Sequence, residues 1–244
     1  MRWQGEGVLL DVRKYGESSA LIDVFTLSLG RRIGLLRGAL NKKNKAIIQP
    51  GNQLFLTWNS RIEESLGVFK IELMKSRYHK ISEERGRLEF FNLICVLCST
   101  FLPERVDFDE LYHKTILYIE GQFSTKEKFR KYIEWELQLL QSLGFGLDLG
   151  KCVVSGSKQD LKFVSPKSGC AVSRKSSAGW EKKLLVLPEF LGSINSRENL
   201  SKADIENGFK LTEYFIKKNL LPVKRFQVGP FFSLRNRLLS LNSL

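Results

Sequence analysis

The chain has 244 residues, of which 43% are hydrophobic, 11% aromatic and 27% charged, and its formal net charge is +13. Enough apolar residues are present to bury a core, so disorder is excluded as the overall description. No run of about 18 apolar residues occurs, which excludes transmembrane helices, and the N-terminus lacks the features of a secretory signal. We therefore expect a cytoplasmic protein without membrane contact, whose surplus positive charge binds a polyanion.

The positive charge is unevenly distributed along the chain. Residues 1–80 carry 14 basic and 7 acidic side chains, residues 81–150 carry 8 and 12, and residues 151–244 carry 17 and 7. A uniformly basic surface would not show this change of sign. The pattern indicates two basic segments separated by an acidic one, and a solvated lysine-rich surface is the alternative explanation of the total charge.

The first 80 residues have the partial alternation of half-buried β-strands, interrupted by turns that contain glycine. We predict five strands, in VLLDVRKY, SALIDVFTL, RRIGLLRGAL, GNQLFLTWN and GVFKIELMKSRY. Residues 41–51 join the third strand to the fourth and are predicted to form a basic loop. Five short strands with no room for a long internal helix predict an OB-fold barrel, and an SH3-like barrel fits the same pattern.

From about residue 81 the apolar residues recur with helical spacing. LEFFNLICVLCSTFL is apolar almost throughout and predicts a buried helix. Amphipathic helices are predicted in DELYHKTILYIEGQF and KEKFRKYIEWELQLLQSLGFG, with Gly144 as a C-cap, and later in LLVLPEFLGSI, KADIENGFKLTEYFIKKNL and SLRNRLLSLNSL. The predicted fold is α+β: an OB-fold domain at 1–80, a helical domain at 81–150 and 181–244, and a small loop-rich inserted module at 151–180.

Candidate catalytic groups are sparse, and we predict that the protein is not an enzyme. The two histidines, His79 and His113, have no metal-ligand pattern around them, and neither a phosphate-binding loop nor a nucleophile elbow occurs. The acidic residues Asp107, Asp109 and Glu110 could suggest a nuclease. They fall at a predicted helix start, however, where acidic side chains complement the helix dipole.

The four cysteines are too few for a disulfide scaffold. Cys95 and Cys98 form a C-x-x-C inside an apolar helix and are expected to pack in the core as small hydrophobic side chains. Cys152 and Cys170 flank the serine-rich insertion, but two thiols are only half of a four-cysteine zinc site. We therefore predict no cofactor.

Five stretches of the sequence form distinctive motifs: W-x-G-E-G-V-L-L-x-x-R-x-Y-G-E (Trp3 to Glu17), D-V-F-T (Asp23 to Thr26), Q-P-G-N (Gln49 to Asn52), E-W-E-L-Q-L-L-Q-S-L-G-F-G-L-D-L (Glu134 to Leu149) and V-S-P-K-S-G (Val164 to Gly169). Together they resemble the RecO family of bacterial DNA repair and recombination mediators, and the match is collinear from Met1 to about Leu191. The long stretch at Glu134 to Leu149 is the most specific.

The resemblance implies an OB-fold, a helical domain and an inserted module that binds zinc through four cysteines in some members. Each cysteine pair is reduced here to one residue, Cys152 and Cys170, so we expect packing and hydrogen bonds to hold the module. The resemblance also implies a nucleoid-associated mediator that binds single- and double-stranded DNA. Such a protein anneals strands coated by single-stranded-DNA-binding protein and, with RecR, helps to load RecA.

The barrel contains the candidate DNA-binding residues. An OB barrel binds a single strand through a positive groove and through aromatic rings that stack on bases. The candidates are Arg31, Arg32, Arg37, Lys42, Lys43, Lys45 and Tyr15. The rings of Trp3, Phe25 and Trp58 are assigned to the barrel structure. An RNA-binding OB-fold adaptor is the alternative function.

The C-terminal segment interleaves basic residues with phenylalanines. Its predicted partner-binding residues are Lys217, Lys218, Arg225 and Arg235. A cationic groove with apolar pockets suits a short acidic tail that ends in a hydrophobic residue, as single-stranded-DNA-binding protein presents. DNA, or simply a solvated helix, fits the same composition.

Overall fold

The computed structural model of the protein describes residues 1–62, 65–192, 200–223 and 228–241. The chain divides into two compact units, Met1–Gly121 and Gln122–Leu244. The finer division predicted from the sequence, at residues 80, 150 and 180, stays a prediction.

The first unit begins with a closed five-stranded barrel. Its strands are Arg2–Tyr15 (β1), Ser19–Thr26 (β2), Gly30–Leu36 (β3), Gln53–Asn59 (β4) and Val68–Lys75 (β5). The order around the barrel is β1-β2-β3-β5-β4, and β4 pairs with β1 to close it. β3 and β5 are parallel, whereas the other neighbours are antiparallel. This is the five-stranded arrangement of the OB-fold, so the predicted α+β class and five strands are confirmed.

Alternation along the strands fills the barrel interior, because successive side chains of a strand point to opposite faces. On β4, Leu54, Leu56 and Trp58 are buried in the barrel core, while the intervening Phe55 is exposed. Trp3 of β1 packs against the same core cluster. The structural assignment of the two tryptophans is therefore confirmed.

Four helices complete the first unit: Lys42–Ile47 (α1), Tyr78–Ser82 (α2), Arg85–Phe101 (α3) and Asp109–Glu120 (α4). The ring of Tyr112 in α4 meets that of Phe25 in β2 edge to face, with 5.3 Å between the ring centroids. Phe25 is fully buried, so its predicted core position is confirmed.

The segment predicted as a basic loop contains helix α1, so that prediction is wrong for residues 42–47. Asn41 provides the physical reason, since its side-chain oxygen accepts a 2.7 Å hydrogen bond from the backbone N–H of Asn44 and caps the helix. At the other end Ile48 is buried in the barrel core. A cap and one apolar anchor are enough to hold this single turn and a half.

Helix α3 contains the C-x-x-C sequence. Cys95 and Cys98 are both buried and both free, and burial raises the pKa of each thiol. A buried thiol with a raised pKa behaves as a small apolar side chain. The predicted packing role of this pair is confirmed.

The second unit combines helices with a small sheet. Its helices are Thr125–Ser142 (α5), Glu189–Gly192 (α6), Lys202–Phe215 (α7) and Val228–Leu241 (α8). Its strands are Leu161–Val164 (β6), Ala171–Ser173 (β7) and Leu185–Val186 (β8), arranged antiparallel in the order β7-β6-β8. No helix among these described ranges, or in the described part of the first unit, is long and apolar enough to cross a membrane.

Two sequence predictions for this unit have different outcomes. Gly144 follows the last turn of α5 with a φ of +84°, a conformation that favours glycine, as its predicted capping role requires. The helix predicted in LLVLPEFLGSI is wrong in its first half, because Val186 pairs with Phe163 in the sheet. In the second half of this segment, as far as the structure describes it, the short helix α6 is formed.

Candidate nucleic-acid interface

Arg31, a predicted DNA-binding residue, lies inside the first unit. It is 7% exposed, and its guanidinium forms a two-pronged ion pair with the carboxylate of Asp23 at 2.7–3.0 Å. Its remaining terminal nitrogen donates a hydrogen bond to the carbonyl oxygen of Leu102, at 3.2 Å. A guanidinium engaged in this way cannot reach a phosphate, so the prediction for Arg31 is wrong.

The backbone around Arg31 brings a different arginine to the barrel surface. The N–H of Arg105 donates a 3.1 Å hydrogen bond to the carbonyl oxygen of Arg31. Next to it, Gly30 has a φ of +63°, and a Cβ there would lie 1.7 Å from the carbonyl oxygen of Val106. Glycine allows the α3–α4 connection to approach β3 this closely, and as a result Arg105 lies near Arg32.

A cleft of about 460 Å³, which we call the arginine cleft, lies over this part of the barrel. Three arginines line it together with apolar side chains: Arg13, Arg32, Arg105, Leu21, Ile33, Trp58 and Leu66. The guanidinium of Arg32 sits 5.8 Å from the centre of the Trp58 ring. Glu104 is an acidic residue in the lining.

A second and wider cleft of about 840 Å³, the terminal cleft, adjoins the first, because Ser65 and Leu66 line both. Its basic residues are Arg2, Arg37, Arg61 and Lys70, all of them exposed. We call the seven basic side chains of the two clefts, together with Leu66, the cationic face.

Part of the cationic face coincides with the region of the barrel that OB-folds use to bind oligonucleotides. That region consists of strands β2 and β3 with the β1–β2 and β4–β5 loops. Leu21 and Arg32 come from the two strands, and Arg61 and Leu66 come from the β4–β5 loop. Tyr15, 54% exposed at the end of β1, borders the β1–β2 turn. Arg32 and Arg37 therefore stay predictions that the geometry supports, and Tyr15 stays a prediction.

The three predicted lysines lie elsewhere on the first unit. Lys42, Lys43 and Lys45 are exposed on the capped helix α1, and none of them lines either cleft. The DNA-binding role of these lysines stays a prediction. The basic residues that line the two clefts are mostly arginines.

Sequence reasoning missed five residues of the cationic face: Arg2, Arg13, Arg61, Lys70 and Arg105. A signal existed for Arg61, which lies in a loop between two predicted strands at the position that OB-folds use for binding. The other four come from β1, from β5 and from the α3–α4 connection, and they meet only when the barrel closes.

The histidines and the acidic residues considered for catalysis form local helix pairs. His79 lies 3.2 Å from a carboxylate oxygen of Glu83, and His113 lies 3.2 Å from one of Asp109, each pair four residues apart and exposed. Asp109 and Glu110 occupy the first turn of α4, as expected from the helix dipole.

The inserted module contains a cluster around Cys152 that we call the Cys–Ser cluster: Cys152, Ser155, Ser173 and Ser176. The N–H of Ser173 donates to the Cys152 sulfur at 3.3 Å, and the hydroxyl groups of Ser173 and Ser176 are 3.1 Å apart. Burial acts to raise the pKa of Cys152, but hydrogen bonds from Ser155 and Ser173 outweigh it and lower that pKa to about 5.

This cluster does not fit a zinc ion. Two x-x-spaced pairs converge, as in a zinc finger, but three of the four positions are serine, whereas structural zinc takes cysteine, histidine or carboxylate ligands. Across the part of the chain that the structure describes, no three such ligands form a group. Cys170, the other thiol of the predicted half-site, has its sulfur 3.7 Å from the carbonyl oxygen of Ser168. Hydrogen bonds take the place of the metal in this module.

Those predicted partner-binding residues of the C-terminal segment that the structure describes do not form one groove. Lys217 pairs with Glu213 and lies 4.5 Å from the centre of the Phe232 ring. Lys218 donates hydrogen bonds to the backbone carbonyls of Pro166 and Lys167, at 2.6 and 2.9 Å. Arg225 lies outside the described residues.

Arg235, the fourth of these residues, is completely buried, so its predicted partner-binding role is wrong. Its guanidinium pairs with the buried carboxylate of Glu136 at 2.7 and 2.9 Å. It also donates to the carbonyl oxygen of Phe209 and the hydroxyl of Thr212. The side chain joins α8 to α5 and α7 and has no surface to offer a partner.

A closed five-stranded barrel with one basic cleft over β2 and β3 and a second beside the β4–β5 loop belongs to the OB class of oligonucleotide-binding folds. Comparisons with known proteins agree with this class. Residues 1–77 match the family model "Recombination protein O N terminal", and residues 83–225 match "Recombination protein O C terminal".

Curated proteins with the name "DNA repair protein RecO" are similar over nearly the whole chain. One from Cereibacter sphaeroides is 39% identical over 223 residues, which is 91% of each chain. One from Roseobacter denitrificans is 40% identical over 220 residues, 90% of each chain, and one from Methylocella silvestris is 36% identical over 90% of this chain and 88% of its own. The chain belongs to the RecO family of DNA repair and recombination proteins.

Proposed function

We propose that the protein binds single-stranded DNA on the cationic face and acts as a non-enzymatic mediator that anneals complementary strands. The observation that carries this proposal is the position of seven basic side chains in two clefts that adjoin at the β4–β5 loop of an OB barrel. A strand that follows both clefts would have its phosphates beside guanidinium groups and its bases beside Leu66 and the exposed ring of Tyr15.

Annealing on such a surface requires no chemistry from the protein. Basic side chains neutralise phosphates and lower the repulsion between two strands, and base pairing supplies the driving force. The reaction should therefore proceed without ATP and should weaken steeply as salt is added.

Charge reversal separates the cationic face from the α1 lysines. We expect R61E/K70E to weaken binding of a single-stranded oligonucleotide, measured by fluorescence anisotropy, and to reduce the salt slope by about 0.7 for each phosphate that the protein no longer neutralises. The matched variant K42E/K43E changes the same charge on the same unit and should have the smaller effect. The opposite ranking would assign DNA to α1, and equal binding by both variants and the natural chain would refute a site on the barrel.

RNA is the competing ligand, because DNA and RNA both offer the phosphates and base faces that the cationic face would contact. Competition between DNA and RNA oligonucleotides of one sequence decides between them. A clear preference for RNA would replace the mediator with an RNA-binding adaptor.

The family membership supports the remaining parts of the proposal: binding of double-stranded DNA, association with RecR, assistance in loading RecA, and capture of the acidic tail of single-stranded-DNA-binding protein. Lys217 and Lys218 are the exposed candidates for the acidic tail. K217E/K218E should weaken binding of a peptide with that tail, while single-stranded DNA binding to the first unit is retained.

A further inference from the structure

The inserted module and the strand β8 that follows it have a basic surface of their own. Residues 151–187 contain eight basic side chains and two acidic ones. Four of the basic residues lie in one short exposed stretch: Arg174, Lys175, Lys182 and Lys183. The cationic face, on the other compact unit, does not account for this charge.

A large aromatic ring stands in the middle of this stretch. Trp180 is 60% exposed, whereas Trp58 and Trp135 are 5% and 1% exposed. Tryptophan contributes strongly to stability when buried, and an exposed indole gives up that contribution. An exposed tryptophan among lysines is typical of a binding surface rather than of a surface that only keeps the protein in solution.

The backbone holds Trp180 in place through consecutive tight turns. The N–H of Trp180 donates to the carbonyl oxygen of Ser177 at 2.8 Å, and the N–H of Lys183 donates to the carbonyl oxygen of Trp180 at 2.8 Å. Ser177 is itself buried and its hydroxyl donates to the carbonyl oxygen of Arg174. Gly179, with a φ of +79°, allows the chain to turn immediately before the ring.

The side chain of Lys183 covers part of the ring. Its ammonium nitrogen lies 4.9 Å from the ring centroid, within the range of a cation–π contact. This contact restricts the ring and puts a positive charge over one of its faces. An exposed ring of this kind accepts a flat partner, and the adjacent charge suits an anion attached to that partner.

We propose that the turns at residues 174–183 form a second binding site for single-stranded nucleic acid, in which a base stacks on Trp180 and Lys175, Lys182 and Lys183 contact the flanking phosphates. A nucleotide is the ligand that combines a flat ring with a neighbouring negative charge, and base stacking on aromatic rings is a general mode of single-strand binding. An acidic protein segment would satisfy the lysines but would leave the ring without a planar partner.

Intrinsic fluorescence of the full chain tests this site, because Trp180 is much more exposed than Trp58 and Trp135. Addition of oligothymidylate should quench the emission of the natural chain. W180F should abolish most of that quenching, whereas W3F, changed in the barrel, should retain it. Truncation of the ring in W180A should weaken binding by roughly fivefold to a hundredfold, the equivalent of about one stacked base.

This inference rests on the proposed binding of DNA, and the two can fail separately. Absence of anisotropy-detected binding of the natural chain to labelled DNA would overturn both. If the natural chain binds labelled DNA with unchanged tryptophan emission, and W180A and K182E/K183E bind it with the affinity of the natural chain, the second site alone is overturned. The partner of Trp180 would then be a protein.

Discussion

Removal of the guanidinium of Arg235 should be among the most damaging single changes in the second unit. In R235M the carboxylate of Glu136 stays buried but is deprived of its ion pair and two hydrogen bonds, at 2.7 and 2.9 Å. Removal of one partner from a buried pair typically costs about 3–5 kcal/mol, because a charge is left uncompensated in a medium that solvates it poorly. We expect the free energy of unfolding of the second unit to fall by that amount.

The measurement is urea unfolding of the full chain, followed by circular dichroism and by tryptophan emission, since Trp135 adjoins Glu136 in α5. R237M is the matched control, because Arg237 is exposed two positions further along α8 and should cost under about 1 kcal/mol. E136L/R235M, which removes both charges, should recover much of the stability. If R235M unfolds at the same urea concentration as R237M, the buried pair does not stabilise this unit and the explanation for the burial of Arg235 is refuted.

Two further predictions concern acid stability and metal binding. Hydrogen bonding from Lys75, and then from Arg77, lowers the pKa of Glu120, so this residue stabilises the fold above the ordinary pKa of a glutamate and the stabilisation is lost as the pH falls through the lowered pKa. E120Q should therefore reduce the slope of the unfolding free energy against pH between about pH 5 and pH 3, and an unchanged slope would contradict this. Replacement of the three serines of the Cys–Ser cluster by cysteine should create a four-thiolate zinc site; elemental analysis should then find zinc in that variant and none in the natural chain, and zinc in both would contradict the hydrogen-bonded cluster.

The sequence predicted the local structure of the first unit well. Strand β4 alternates buried and exposed residues, and its partners do so in part, so the period of the strands was visible without any knowledge of their neighbours. Helix α1 was missed because its signal is a single capping residue, Asn41, before one and a half turns. Helix propensity over so short a stretch is weak, and a basic stretch of this length resembles a loop equally well.

The binding surface was predicted less well, for a reason that lies in the register of the barrel. Arg31 and Arg32 are neighbours in β3, yet one is buried against Asp23 and the other lines the arginine cleft, because successive side chains point in opposite directions. Arg32 pairs across the sheet with Val24 of the barrel core, whereas Arg31 pairs with Phe25 on the side covered by α4, where Asp23 binds it. The order of residues within β3 does not show which of the two arginines meets the carboxylate. The same limitation applies to Arg235, whose partner Glu136 lies 99 residues earlier in the chain.

A mediator of annealing must bring two strands together, and a single groove that holds one strand does not explain how the second is recruited. The proposed sites divide this task between the two compact units, with the cationic face on the first and the ring of Trp180 on the second. Their chemistry differs in a way that suits the division. The cationic face has seven basic side chains and would bind mainly through charge, whereas the site at Trp180 combines three lysines with a stacking ring, so added salt should weaken binding to the cationic face more. Annealing by the natural chain should therefore lose its more salt-sensitive part in R61E/K70E and its less salt-sensitive part in W180A.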